Sequence, residues 1–182
     1  MKSAFTSIVL LASLAVVPVG AAEHTFFTPN RGEADASVRF LSHGTSVNAR
    51  FSDRDMSIGT SSASVRLEFA GAASQSRVTL AGDTLIYRNT WPGIEPEYAP
   101  YRGTLKSEYR VSPGADPGLI RLRYYGDGAP AILSDGSLMI GVRGAAFVES
   151  PPFAYQDRDG RVPVEVAYRI NDDGTVGFAL GR

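Results

Sequence analysis

The stretch Val162–Leu180, VPVEVAYRINDDGTVGFAL, carries the pattern that decides the fold class. Both runs that flank Asp173-Gly174 place an apolar residue at every second position. An alternation of period two indicates antiparallel strands with one buried face. Asp-Gly between two such runs favours a hairpin turn, because both residues tolerate a positive φ. The stretch therefore predicts two strands joined by a tight turn.

The same signals recur along the chain. Asp135-Gly136 separates AIL from LMI, and Asp159-Gly160 separates FAYQ from VPVEV. Alternating runs also occur in SVNARFSD, VRLEFAG and IRLRYYG. Strands and turns spaced in this way predict an all-β fold, an antiparallel β-sandwich built from hairpins and meanders. The side chains expected to face its core are Val65, Leu67, Phe69, Ile120, Leu122, Val164, Val166 and Phe178.

The N-terminal residues have the layout of a secretory signal peptide. The sequence MKSAFTSIVLLASLAVVPVGAAEH has one positive charge, at Lys2, then the apolar run Ile8–Val17, and its small residues end at Ala22. A membrane-spanning helix would need ~20 apolar residues, and this run is shorter. We therefore predict a signal peptide over residues 1–22 and a single β-rich domain over residues 23–182. The expected location is secreted, periplasmic or at the cell surface.

The composition excludes several classes of function. The chain has 182 residues, no cysteine and a net charge of −1. The absence of cysteine excludes thiolate metal ligands and a lipid anchor on an N-terminal cysteine. Nucleic acid binding would need a basic stripe, whereas the arginines are scattered along the chain. We expect no nucleic acid partner and, after removal of the signal peptide, no membrane span.

One stretch places four reactive side chains together. In Leu105–Gly126, LKSEYRVSPGADPGLIRLRYYG, a lysine, a serine, a glutamate and a tyrosine are neighbours in sequence. Successive side chains of a strand point to opposite faces. Ser107 and Tyr109 are therefore predicted on one face, and Lys106 and Glu108 on the other. This division predicts a strand with a charged outer face and no catalytic cluster.

The segment PGADPG that follows is predicted to be a rigid connector, because its prolines fix φ and its glycines supply turns. Asp116 precedes a proline, which biases it toward extended backbone. Its carboxylate can accept hydrogen bonds from nearby turn amides. We therefore predict that Asp116 holds the connector between the strands Leu105–Val111 and Leu119–Tyr125.

The segment Trp91–Tyr101 is the one candidate ligand-binding site. Glu95 and Glu97 lie two apart in a predicted strand, so they would project from the same face about 6–7 Å apart. That spacing is close to the separation of paired glycosidase carboxylates. Trp91, Tyr98 and Tyr101 could stack on a sugar. The other interpretation is a solvent-facing edge strand whose charges prevent edge-to-edge pairing.

Other chemistry has little support in the sequence. The DRDG motif that starts at Asp157 suggests a calcium loop, but the twelfth position is Tyr168 and not the required glutamate. His24 and His43 are the only histidines and do not form a catalytic triad or a zinc site. We expect no catalytic residues, no metal and no cofactor.

Several motifs resemble one family. The pieces SEYRVSPGADPGLIRLRYYG, PNRGEADASVRFLSHG, YRNTWPGIEPEY and SPPFAYQDRDGRVPVEVAYRINDDGTVGFALG are similar to the N-terminal domain of bacterial secreted SBBP proteins, which carry seven-bladed β-propeller-type repeats. The similarity runs from Phe27 to Gly181. Glu33 departs from the glutamine usual in the family. Pro96 and Glu97 replace apolar residues, so we expect an edge strand there.

The resemblance implies an extracellular β-rich module without an assigned activity. It also implies a downstream β-propeller domain or a cell-surface component as partner. The sequence thus predicts a secreted or periplasmic, non-enzymatic β-sandwich module with a structural or binding role. The alternative is a carbohydrate-binding or carbohydrate-active domain that uses Trp91–Tyr101.

Overall fold

The computed structural model describes residues 8–15, 26–43, 48–60, 63–101, 104–157 and 160–181, with the backbone alone for residues 10–15. These residues form strands, turns and one short 3-10 turn at Pro117–Leu119, and no α-helix occurs among them. No described segment is a helix long and apolar enough to cross a membrane. The all-β prediction is confirmed.

Eighteen strands are present in the described part of the chain. In chain order they are β1 (Ile8–Ala15), β2 (Phe26–Pro29), β3 (Val38–His43), β4 (Asn48–Ser52), β5 (Asp55–Gly59), β6 (Ser64–Phe69), β7 (Arg77–Ala81), β8 (Thr84–Arg88), β9 (Ile94–Tyr101), β10 (Thr104–Val111), β11 (Leu122–Tyr125), β12 (Ala131–Ile132), β13 (Leu138–Val142), β14 (Ala145–Glu149), β15 (Phe153–Asp157), β16 (Arg161–Val164), β17 (Val166–Ile170) and β18 (Val176–Leu180).

The strands form two antiparallel sheets. The large sheet has the order β12-β13-β14-β1-β10-β9-β8-β7, and β15 also pairs with β1 and with β16. The small sheet has the order β17-β18-β11-β6-β5-β4-β3-β2. Consecutive strands are neighbours from β2 to β6 and from β7 to β10, which confirms the predicted meanders.

The core lies between the two sheets and is rich in aromatic side chains. Phe69 of the small sheet contacts Tyr87 of the large sheet with ring centroids 4.7 Å apart. Tyr109 and Phe178 make a similar contact between the sheets at 5.4 Å. Of the eight predicted core residues, Val65, Leu67, Phe69, Ile120, Leu122 and Phe178 are buried, and Val164 and Val166 pack against the core while partly exposed.

The Asp-Gly turns join paired strands, as predicted. Gly136 lies between β12 and β13 with φ of 85°, and Gly174 lies between β17 and β18 with φ of 76°. Gly160 precedes β16 with φ of 133°, and β16 pairs with β15. Its predicted turn partner Asp159 lies outside the described residues.

The prediction of one continuous strand over Val162–Ile170 is wrong. The run divides at Glu165 into β16 of the large sheet and β17 of the small sheet. Glu165 accepts a backbone hydrogen bond of 2.8 Å from Gly181. Val162 and Ile170 at the two ends are exposed, and the strands that contain them, β16 and β17, are each the last strand of their sheet.

The prediction of an edge strand at Pro96 and Glu97 is also wrong. These residues belong to β9, which lies between β10 and β8. Pairing with β8 is confined to Glu97 and Tyr98 and stops before Pro96. A proline cannot donate a hydrogen bond to a neighbouring strand, and the pairing of β9 with β8 does not extend to Pro96.

Candidate functional site

The two rings predicted to stack on a sugar, Trp91 and Tyr98, lie in the core. Trp91 is 4% exposed, and its indole Nε1 donates a hydrogen bond of 3.0 Å to the carbonyl oxygen of Ala70. Tyr98 is 3% exposed and contacts Phe51 of the small sheet. Buried tryptophan and tyrosine side chains supply a large apolar contact area between packed sheets.

Glu95 and Glu97 occupy alternate positions of β9, and each carboxylate already has an arginine partner. Arg88 Nη1 lies 2.6 Å from Glu95, and Arg110 Nε lies 2.6 Å from Glu97. The Glu97 side chain is 8% exposed and the Glu95 side chain 33% exposed, so Glu97 depends on its partner more than Glu95 does. The hydrogen bond to Glu97 raises the pKa of the Arg110 guanidinium.

The structure therefore does not bring the five predicted binding residues to one surface. Tyr98 faces the core, whereas Glu97 pairs with Arg110, which is more than half exposed. Tyr101 is 42% exposed and is the one ring of the three that solvent reaches. Alternation along β9 explains this separation, since neighbouring side chains of a strand point to opposite faces.

The stretch Leu105–Gly126 has the predicted organisation. In β10, Ser107 and Tyr109 are buried, while Lys106 and Glu108 are only partly buried and pair at 2.7 Å. Asp116 is extended and caps the 3-10 turn, and its Oδ1 accepts a hydrogen bond of 2.8 Å from the Gly118 amide. The following strand begins at Leu122, three residues later than predicted.

Sequence reasoning missed a buried carboxyl group, Glu149, at the end of β14. Tyr124 Oη donates to Glu149 Oε1 at 2.6 Å. Tyr168 Oη lies 3.3 Å from Glu149 Oε2 and donates to the Ser150 carbonyl at 3.1 Å. Burial raises the pKa of Glu149, and the two tyrosine hydrogen bonds oppose this rise. The available signal was the alternation Phe147-Val148-Glu149, which places a glutamate at a core-facing position.

A protonated Glu149 would satisfy this cluster. The carboxyl group would then donate from Oε2 to the Tyr168 oxygen, while Tyr168 donates to Ser150 and Tyr124 donates to Oε1. Buried polar networks are stable when each member has a partner. Desolvation also raises the pKa values of Tyr124 and Tyr168, so both phenols stay protonated as donors.

A small cavity adjoins the carboxyl group. Its volume is about 20 Å³, which is room for one water molecule, and its mainly apolar lining includes the polar residues Tyr98, Ser107, Tyr109 and Glu149. Tyr98 Oη is buried beside the Tyr109 phenol and meets no partner at good hydrogen-bonding geometry in the described part of the chain. The cavity is thus a small, mainly apolar compartment inside the sandwich, with a buried carboxyl group at its wall.

The strand beside this compartment is β1, which lies in the middle of the large sheet. Residues 8–14 pair with 111–105 of β10 on one side. On the other side, residues 8–11 pair with 156–153 of β15, and residues 14–15 pair with 149–148 of β14. Ala12 is thus paired with Ser107, and Leu14 with Glu149, two residues that line the cavity.

A family model described as a domain of unknown function, DUF7948, matches residues 72–182, which is more than half of the chain. The chain belongs to the DUF7948 family. The DUF7948 region contains β7–β18, and so it contains the whole large sheet except β1. The chain matches no curated protein and no solved structure. The family description names no activity and no SBBP protein, so that resemblance stays a prediction.

Proposed function

We propose that the chain is an exported protein whose β-sandwich is a non-catalytic module with a structural or binding role outside the cytoplasm. The leader-like features of residues 1–22 support export. The similarity of residues 27–181 to the SBBP N-terminal domain supports a place at the front of a larger surface protein.

The observation that carries the non-catalytic role is the engagement of the acidic side chains. Glu95 and Glu97 are held by arginines, and Glu149 is enclosed by tyrosines in the core. Paired catalytic carboxylates need one group that holds a proton and one that is ionised, both facing the same substrate. Here the carboxylates that the sequence and geometry single out serve the packing of the sandwich.

Carbohydrate binding by Trp91–Tyr101 is a separate hypothesis. Its exposed elements are Tyr101 and, in part, Glu95. A glycan array with the purified protein and a Tyr101→Ala control tests it. Binding that is lost in the variant would support the hypothesis, and an array without specific signals would reject it.

Export is tested in the native host by cell fractionation and mass spectrometry of the N-terminus. We expect the protein outside the cytoplasm, with a mature chain that begins near Glu23. Folded protein that is found outside the cytoplasm and still carries Met1 would contradict removal of the leader. Protein that stays in the cytoplasm would contradict export itself.

A further inference from the structure

The segment predicted to be removed on export is also an interior strand of the large sheet. Residues 8–15 form β1, with β10 on one side and β14 and β15 on the other. Removal of residues 1–22 takes this strand with it. The large sheet would then divide into three parts, β7–β10, β12–β14 and β15–β16, because β14 and β15 are joined only through β1.

The walls of the β1 position would be three strand edges with unpaired backbone groups, β10 on one side and β14 and β15 on the other. Buried backbone N–H and C=O groups are almost always paired, and an open edge is a template for another strand. Side chains next to the position are also part of the core, since Leu105, Tyr109 and Ala154 are 1%, 2% and 0% exposed. An empty position would expose both the edges and this apolar surface.

Both walls lie in the DUF7948 region, whereas the strand that fills the position does not. The matched residues 72–182 include β10, β14 and β15. The family region therefore contains the strands on both sides of the position and not the strand that fills it. In the unprocessed chain, the leader-like segment supplies this strand.

We propose that the β1 position is a strand-acceptor groove, and that in the processed protein it binds an extended apolar segment of another polypeptide that runs antiparallel to β10. This inference rests on the proposed removal of the leader. Addition of a strand is a known mode of peptide recognition, in which main-chain hydrogen bonds give affinity and side-chain positions give specificity.

The surroundings of β1 define the chemistry of the bound segment. Val9 is 6% exposed, and Ile8 on the opposite face packs against the core, so both faces of the strand are shielded where the side chains are described. A strand that is buried on both faces is a near-continuous apolar run, as IVLLASLA is. The partner segment is therefore uncharged and about seven or eight residues long, with a small residue opposite Ser107, where β1 has Ala12.

A second copy of this chain is a poor source of that segment. A processed copy has lost the same eight residues, and its other described strands, β2–β18, already have positions in the two sheets. The edges of β10, β14 and β15 that flank the β1 position also lie inside the large sheet. The grooves of two copies therefore cannot pair edge to edge unless a further strand lies between them. Because no described strand is free to fill the groove, we assign the donor segment to another polypeptide.

The experiment uses the full chain with a specific protease site inserted between Ala22 and Glu23, produced without export. After cleavage, a fluorescent peptide of residues 6–16, with lysines added at both ends for solubility, is mixed with the protein. We expect the peptide to replace the cut leader and to co-elute with the folded protein. The uncut chain is the matched control, and it should take up no peptide because its own strand is tethered at a high effective concentration.

A second peptide separates strand pairing from apolar adsorption. It has the same side chains but is N-methylated at Leu10 and Leu11. Neighbouring N–H groups of a strand point to opposite sides, so this peptide loses one donor toward each wall. We expect its affinity to fall about tenfold or more.

Each outcome decides the proposal. Uptake of the parent peptide by the cut chain, with weak uptake of the N-methylated peptide, supports it. Equal uptake of the two peptides, no uptake after the leader fragment has left, or unfolding of the cut chain that added peptide does not prevent would overturn it. A cut chain that dimerises and ignores peptide would assign the groove to a second copy and also overturn it. The in vitro uptake is independent of the location measured in the host, so failure of export and failure of the groove are distinguishable.

Discussion

Glu149 follows Phe147 on the core-facing side of β14, and this places a carboxyl group inside an apolar sandwich. Removal of a carboxylate from water is costly unless it is paired or protonated. Tyr124 and Tyr168 supply the hydrogen bonds, and the surrounding burial favours the proton. One side chain thus makes the stability of the core depend on pH.

Glu149→Gln should remove that dependence. The folded protein holds the Glu149 proton above the ordinary carboxyl pKa of 4.5, so its free energy of unfolding falls as pH rises from about that value through the raised pKa. Glutamine does not titrate. The midpoint of thermal unfolding of the variant, measured relative to the parent between pH 4 and 8, should therefore rise with pH.

The neighbouring groups do not obscure this comparison. Tyr98, Tyr109, Tyr124 and Tyr168 surround the carboxyl group and have raised pKa values, so they remain protonated over this range. Exposed carboxylates with lowered pKa values, such as Asp173, make the free energy of unfolding fall as pH falls. This effect is the same in the parent and the variant, so it cancels in the difference between them. If the difference in unfolding midpoint between variant and parent does not change with pH, Glu149 titrates alike in the folded and unfolded chain.

The Asp116 carboxylate caps the turn between β10 and β11 and so stabilises the connector. Asp116→Ala should lower the free energy of unfolding by about 1 kcal/mol, the usual scale for a lost cap. Chemical denaturation measures the change. Asp127→Ala is a matched control, since Asp127 is exposed and its side chain has no hydrogen-bond or ion-pair partner in the described part of the chain. Equal effects of the two substitutions would contradict the capping role.

At the scale of elements, charge pairs of unequal burial join β9 to β10 and to β8. Arg110 pairs with Glu97, whose side chain is 8% exposed, and Arg88 pairs with Glu95, whose side chain is 33% exposed. Loss of one partner is more costly where the other charge is buried. Both are arginine–glutamate pairs, but the Arg110–Glu97 pair should contribute more to the free energy of unfolding.

Arg110→Gln should destabilise the protein more than Arg88→Gln does. Because Arg110 itself is 57% exposed and water screens the pair, we expect a difference of about 1 kcal/mol rather than the larger cost of a fully buried pair. Urea denaturation of both variants at neutral pH gives the comparison. Indistinguishable midpoints would mean that water already stabilises Glu97 in the parent.

The elements show which features sequence patterns can predict. The Asp-Gly hairpins followed from local chemistry, because residues that form a tight turn are neighbours in the chain. The interior place of β9 and the change of sheet at Glu165 depend on strands that are distant in sequence, and alternation alone does not specify a neighbour. For the same reason sequence reasoning placed Trp91 and Glu95 in one site. In the structure the Trp91 ring lies in the core, and the Glu95 carboxylate pairs with Arg88.

In the molecule as a whole, burial keeps most of the tyrosine phenols protonated. Five of the eight tyrosines have pKa values raised by burial, namely Tyr87, Tyr98, Tyr109, Tyr124 and Tyr168. In an alkaline titration followed by tyrosinate absorbance, these five should ionise only as the fold is lost, in a step that coincides with the loss of circular dichroism. Smooth ionisation of all eight near pH 10 in a protein that keeps its fold would contradict the packed core.

The interior position of β1 also sets the order of events while the chain is being made. Ile8 pairs with Val111 and with Gln156, so its first partner is translated roughly 100 residues later. At a synthesis rate of about 5–20 residues per second, Ile8–Ala15 waits about 5–20 s for that partner. A hairpin strand would be sequestered almost at once. During this delay the N-terminal segment has no strand partners, which is the interval that the proposed export would require.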